Sequence, residues 1–394
     1  MDFELTPEEK AFQEEVVRFL EENRSPEVMD ANPEQLSQTV DTPAKREFMG
    51  KLAAKGWLGM SWPREYGGAE RPGIYDFILT EALARFGAPQ PGKGVGIVGK
   101  TLIRHGNEAL KREFLPKIIR GEIEFAIGYS EPNAGSDAAN MQLRATRDGE
   151  RGGWVLQGQK IWTTSAHFAD WYWVGARTDP EAPKHRGITL FLVPMDHPGL
   201  EIRATWTIGD ERTNEVFLDD VFVPDGQVVG EVNRGWTYIC EALDLERFAM
   251  MPVGPLEEKV AALGRHLASA ERDGRPLRED PRVRRVIARI ETELEVARML
   301  QRRVVSEAVK GRVPTVESSM YKLSMTRLGQ RVADAALDLF GPEGQLKPGA
   351  EGAPVGGRFE RSYRYTVVDT IGGGTSEIQR NIIARRGLGL PQSF

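Results

Sequence analysis

A segregated α+β protein, with helices first, strands in the middle and helices again at the end, is the fold class the sequence predicts. Three observations carry this. From Thr6 to about Arg120 apolar residues recur at helical spacing. Near Glu124 the pattern changes to short β-branched and aromatic runs bounded by turn residues. From Gly235 to Phe340 the helical period returns. A β-α-β alternation would have pointed to a parallel sheet instead.

The elements follow in order. Thr6 caps the first helix, with Pro7 at its first position and Glu9 closing a capping box. Phe12, Val16, Phe19 and Leu20 then give it one apolar face. Further helices are predicted over residues 43–55, 74–86 and 99–119. Strands are predicted over 154–162, 171–176, 187–193 and 215–223, a compact β domain of about 100 residues. A long helix over 283–309 repeats apolar residues at Val286, Ile290, Leu294, Ala297 and Leu300. A Gly/Pro-rich loop, 341–357, precedes a last short helix near 377–386. The predicted domain limits are 1–122, 123–230 and 231–394.

Composition narrows the function. The 394 residues are 40% hydrophobic with eight Trp and sixteen Phe, enough for a large core and too much for disorder. A net charge of -6 argues against nucleic acid. A single cysteine, Cys240, excludes an intrachain disulfide and a thiolate cluster, and the five histidines form no metal motif. No metal is expected. No apolar run approaches the roughly 20 residues of a membrane helix, and residues 1–8 are acidic rather than a basic leader. A soluble, cytoplasmic protein with no membrane contact is expected.

One motif misleads. Gly94, Gly96, Gly99, Lys100 and Thr101 satisfy both phosphate-binding glycine patterns. Both patterns need a buried strand feeding the loop, and the upstream segment is an amphipathic helix. A glycine-rich entry to the next helix, at a close approach of a ligand or another backbone, is the expected role.

Two segments carry chemistry. Residues 129–137, Tyr-Ser-Glu-Pro-Asn-Ala-Gly-Ser-Asp, bring hydroxyls and free backbone N–H groups close together. Residues 158–165 set the Trp162 face beside the Thr163, Thr164 and Ser165 hydroxyls, which suits a flat heterocycle. Together with Trp62-Pro-Arg-Glu-Tyr-Gly-Gly68, residues 217–224, Gly235-Trp236 and the ending Gly374-Thr-Ser-Glu-Ile-Gln-Arg380, they resemble the acyl-CoA dehydrogenase flavoprotein family over essentially the whole chain. The resemblance implies an N-terminal helical domain, a middle β-barrel, a C-terminal four-helix bundle and FAD between barrel and bundle. It places Ile127, Tyr129, Ser130, Gly135 and Ser136 along the flavin and its phosphates, and Trp162 and Thr164 on the isoalloxazine. Thr375 and Glu377 match positions near FAD, and Arg385 a bundle arginine near the active site.

The implied reaction removes an α-proton from an acyl thioester as hydride leaves the β-carbon for flavin N5, with electrons passing on to an electron-transferring flavoprotein. A carboxylate in a dry pocket suits the base. Many family members place that glutamate where this chain has Gly373. Another branch supplies it from a bundle helix, at the position of Glu246 in Leu243-Asp-Leu-Glu246-Arg247. Glu246 is therefore the expected base, Arg247 orients the pocket, and Ser136, Arg247 and Gly373 are expected at the substrate. Glu131 is the second carboxylate considered. Three glycines at 372–374 leave room for a bulky or α-branched acyl group.

Two departures bear on assembly. Homotetrameric members reach the neighbour's FAD through an Arg-x-x-Phe-Gly and a Gln-x-x-Gly-Gly. Here those places carry Asp273-Gly274 and Asp338-Leu-Phe-Gly-Pro-Glu343-Gly, and carboxylates repel a pyrophosphate. The style is similar to actinobacterial α2β2 enzymes acting on steroid side-chain CoA thioesters. A homotetramer and a heterotetramer both stay open, as do a half-site or non-catalytic subunit and a flavin oxidase or monooxygenase on the same fold.

Overall fold

The computed structural model describes residues 4–34, 39–249, 252–310 and 312–391; the side chains of 244–249 and 309 lie outside the description. The N-terminal part holds α1 (Pro7–Glu22), α2 (Pro43–Ala54), α3 (Ile74–Phe86), α4 (Gly99–His105) and α5 (Glu108–Ile119). The capping box at Thr6 and Glu9 is formed in both directions. Phe12, Val16, Phe19 and Leu20 pack with Phe48, Leu52, Trp57, Ile78 and Leu83 in one core. The single helix expected over 99–119 is two: Gly106 leaves helical geometry and Asn107 caps α5 by accepting from the Leu110 N–H at 2.9 Å.

The glycine-rich segment is a π-turn, Gly94–Val98, running straight into α4. What approaches it is an indole. A Cβ on Gly99 would sit 2.2 Å from the Trp62 ring, so glycine makes room for that buried tryptophan.

The middle part contains β1 (Phe125–Gly128), β2 (Arg144–Asp148), β3 (Gly153–Lys160), β4 (Trp171–Arg177), β5 (Ile188–Pro194), β6 (Leu200–Trp206), β7 (Arg212–Pro224) and β8 (Val228–Val229). They form one eight-stranded sheet in the order β6-β7-β3-β2-β4-β5-β8, with β1 parallel on β4. Ala145, Leu156, Val174, Phe191, Val216, Leu218 and Val228 share one core, so the sheet bends around it although its ladder ends on β6 and β8.

The C-terminal part holds α6 (Gly235–Ala249), α7 (Gly254–Ser269), α8 (Pro281–Val309), α9 (Thr315–Phe340), α10 (Arg358–Asp369) and α11 (Ser376–Ile382). Leu263, Ile290, Leu294, Leu328, Val332 and Phe359 make the core shared by α7–α10. Helix α6 buries Tyr238 and Ile239 elsewhere, in the core that joins Leu102 and Phe114 of the N-terminal part to Trp173, Ile188 and Leu190 of the sheet. It thus stands where all three parts meet. No helix among the described residues is long and apolar enough to cross a membrane.

Candidate active site

Strand β1 carries Ile127 and delivers Tyr129 and Ser130 to the sheet's end. Gly128 permits this, since a Cβ there would lie 2.4 Å from the Tyr172 ring. The Tyr129 hydroxyl accepts from Trp173 Nε1 at 2.8 Å. Glu131 and Ala134 exchange two 3.0 Å backbone hydrogen bonds, closing a tight turn that leaves Gly135 and Ser136 exposed. The Glu131 carboxylate accepts from the backbone N–H groups of Gln142 (2.5 Å) and Leu143 (2.8 Å) and from Lys160 Nζ (2.7 Å). This carboxylate therefore serves to hold the loop. Lys160 is completely buried, and burial pulls its ammonium down to about 8 against the opposing pull of Glu131.

The second segment lies against the first, because the Ile161 N–H donates to the Ser130 carbonyl at 3.0 Å. Trp162 follows with a left-handed backbone, φ +59°, and an indole 56% exposed. Left-handed geometry at a bulky residue costs on the order of 1–3 kcal/mol, and an exposed ring recovers none of it from the core. The neighbours enforce it. Buried Thr163 donates its N–H to Asn214 O (2.9 Å), accepts from Asn214 Nδ2 (2.9 Å) and shares a 3.2 Å hydrogen bond with the Tyr172 hydroxyl. Lys93 Nζ donates to Thr164 O (3.3 Å) and Ser165 Oγ (3.4 Å). A rigidly held, open indole beside Tyr129 and Ser130 fits the flat ring of a flavin, so the residues present suit FAD.

The third segment joins α10 to α11. Gly373 and Gly374 are left-handed, φ +66° and +92°. Thr375 caps α11, its Oγ1 accepting from the Ile378 N–H at 3.2 Å, and Glu377 is exposed, 3.3 Å from Arg380. Lys322 Nζ donates to the Asp369 and Gly374 carbonyls at 3.1 and 2.9 Å, and Gln379 Nε2 to Gly374 O at 3.0 Å. These bonds tie the segment to α9–α11. Arg385 lies exposed in a closing π-turn, Ile383–Gly387.

Glu246 and Arg247 stand on α6; their side chains lie outside the described residues. The first half of the helix is fixed to α4. His105 of α4 hydrogen-bonds Glu241 at 2.7 Å and stacks on Tyr238 at 4.3 Å. At the start of α7, the half-buried Glu81 carboxylate accepts from the Val253 and Gly254 N–H groups at 3.0 and 3.2 Å.

Lys93, Lys160, Lys322 and Asn214 were not among the residues the sequence singled out. A signal existed for Lys160: it shares the strand face of Trp154 and Leu156, all three buried. The two departures noted above adjoin each other. Asp273 and Gly274 form a two-residue turn with both φ positive, and Arg272 of that hairpin donates to the Leu339 carbonyl at 2.5 Å. Asp273, Asp338 and Glu343 are exposed there.

Sequence profiles for the acyl-CoA dehydrogenase N-terminal, middle and C-terminal domains match residues 6–122, 126–221 and 233–388. The chain is 33% identical to acyl-CoA dehydrogenase FadE26 of Mycobacterium tuberculosis, covering all of both chains. Among solved structures it is similar to the Tcur3481-Tcur3483 steroid ACAD (34% identity, TM-score 0.88). It is also similar to the ChsE4-ChsE5 complex of Mycobacterium tuberculosis (31% identity, TM-score 0.89). Coverage is complete on both sides in each.

Proposed function

The chain belongs to the acyl-CoA dehydrogenase family, an FAD-dependent oxidoreductase, and from that premise we propose that it dehydrogenates a bulky acyl-CoA thioester with Glu246 as its base. FAD, when bound, supplies the acceptor for the electron pair leaving the β-carbon. Glu246 takes the α-proton, and Arg247 orients the pocket by charge-assisted hydrogen bonds. Trp162 and Thr164 hold the ring, while Ile127, Tyr129, Ser130, Gly135 and Ser136 follow the rest of the cofactor. Thr375 and Glu377 close the far side, and Ser136, Arg247 and Gly373 face the substrate. Electrons pass on to an electron-transferring flavoprotein. In the proposed division into 1–122, 123–230 and 231–394, the flavin would lie at the junction of the second and third parts.

One observation carries the choice of base. Position 373 holds a left-handed backbone, which a side-chain-bearing residue adopts only under strain. A carboxylate there would need a different turn, so Glu246 on α6 is favoured. The same bare turn favours a wide acyl group. The similar Tcur3481-Tcur3483 assembly is described as a steroid ACAD, which supports a steroid-like acyl group. The test is the visible spectrum of the purified chain, followed by anaerobic addition of straight, branched and steroid side-chain acyl-CoAs. Bleaching by the bulky thioesters is expected; bleaching by short straight ones alone would overturn the substrate class.

A second reading is favoured by the exposed carboxylates at Asp273, Asp338 and Glu343. A non-identical partner chain would then complete each site in a heterotetramer. A chain that is colourless alone and yellow after co-expression with that partner would establish it.

A further inference from the structure

Lys322 lies on α9 and is 6% exposed. Lysine belongs in water, and burying its charge is costly unless its donors are used. Its Nζ meets two main-chain carbonyls, Asp369 at 3.1 Å and Gly374 at 2.9 Å. Asp369 ends α10, and Gly374 is the last glycine of the turn. One ammonium therefore bridges the two ends of residues 370–374.

The turn needs such a bridge. Three consecutive glycines offer no side chain for packing, and each leaves its backbone freer than any other residue would. Two of them occupy left-handed φ values. The remaining bonds, from Ile371 and Gly372 N–H to Val368 O and from Ser376 N–H to Thr370 O, leave the Gly373 peptide itself without a backbone partner of this kind. Gln379 adds bonds to the Gly373 and Gly374 carbonyls at 3.3 and 3.0 Å. The other two flavin-facing segments are held in the same manner, with Lys160 Nζ on Tyr129 O and Lys93 Nζ on Thr164 O.

We propose that Lys322 is a positioning residue for the acyl thioester: by gripping the carbonyls on either side of Gly372 and Gly373, it sets the orientation in which the Gly373 main chain meets the substrate. This rests on the reading that Gly373 contacts the acyl group.

The test uses the holoenzyme and the apoprotein of Lys322→Met, Lys322→Gln and Lys322→Arg. In Lys322→Met, amide hydrogen exchange of residues 370–376 rises at least tenfold while exchange across α7 and α8 and the FAD content stay within twofold. The kcat/KM for the acyl-CoA falls at least tenfold. Lys322→Arg, which keeps the charge and the donors, recovers part of both effects; Lys322→Gln, with one neutral donor group, falls between. If Lys322→Met does not fold, Lys322→Gln decides. Unchanged turn exchange and kcat/KM, or faster exchange throughout the bundle, would overturn the proposal. A wild-type enzyme that no acyl-CoA reduces would instead overturn the functional reading, with the exchange data still judging the grip on the turn.

Discussion

Lys160 and Glu131 form an ion pair of 2.7 Å with the lysine fully buried and the glutamate 7% exposed, and the pair joins the end of β3, which leads into Trp162, to the turn that follows Ser130. Breaking a buried pair by removing one partner costs about 3–5 kcal/mol because the other charge stays in the core. Lys160→Met is expected to lower stability by about that much and to release FAD on gel filtration. Adding Glu131→Leu does not restore it, since the Gln142 and Leu143 N–H groups then lose their acceptor. A double variant as stable as wild type, by urea midpoint, would refute this account.

Trp162 separates stability from cofactor binding. Its ring is mostly exposed and its backbone left-handed, so Trp162→Gly removes strain as well as contacts. The apoprotein of this variant is expected within about 1 kcal/mol of wild type. Lost ring stacking, about 1 kcal/mol or more, predicts FAD affinity weaker by roughly tenfold. Titration of both apoproteins with FAD checks it: equal affinities would remove Trp162 from the flavin site.

Much of the fold was legible because it rests on apolar periodicity. The face of Phe12, Val16, Phe19 and Leu20 is buried as its spacing requires. Helix α10 escaped the same test because its inward face is largely polar. Arg358, Glu360, Ser362 and Thr366 are buried there, with Ser362 and Lys259 both bound to Glu34. Strand β6 escaped because it is an edge with Trp206 exposed. The three lysines escaped for a related reason. A lysine in a sequence resembles a solvated surface residue, and only the fold shows which carbonyls surround it.

Two carboxyls, Glu124 and the half-buried Asp369, set a pH dependence. Burial pushes Glu124 up to about 7, and burial with the neighbouring Glu34 pushes Asp369 up to about 7. Both hold a proton in the folded state where the unfolded chain has released it. Their stabilisation is full below about pH 4 and is lost as pH rises through about 7. Urea midpoints of wild type should fall between pH 5 and pH 8. Those of Glu124→Gln and Asp369→Asn should fall less; parallel profiles would show that neither group titrates in this window.

The base can be tested at both of its possible positions. Glu246→Gln removes a proton acceptor while keeping size and polarity, so turnover should drop by at least a thousandfold, on the order expected for a lost general base, with the flavin spectrum unchanged. Adding Gly373→Glu puts a carboxylate at the alternative base position that the family resemblance implies. In this chain residue 373 sits at φ +66°, with the turn held by Lys322 and Gln379. A glutamate there either strains the backbone or breaks those bonds, so the double variant should regain less than a hundredth of wild-type turnover. Rescue to near wild-type rate would mean that the turn is soft and that its backbone does not dictate the choice of base. Retained activity in Glu246→Gln alone would move the base off α6 altogether.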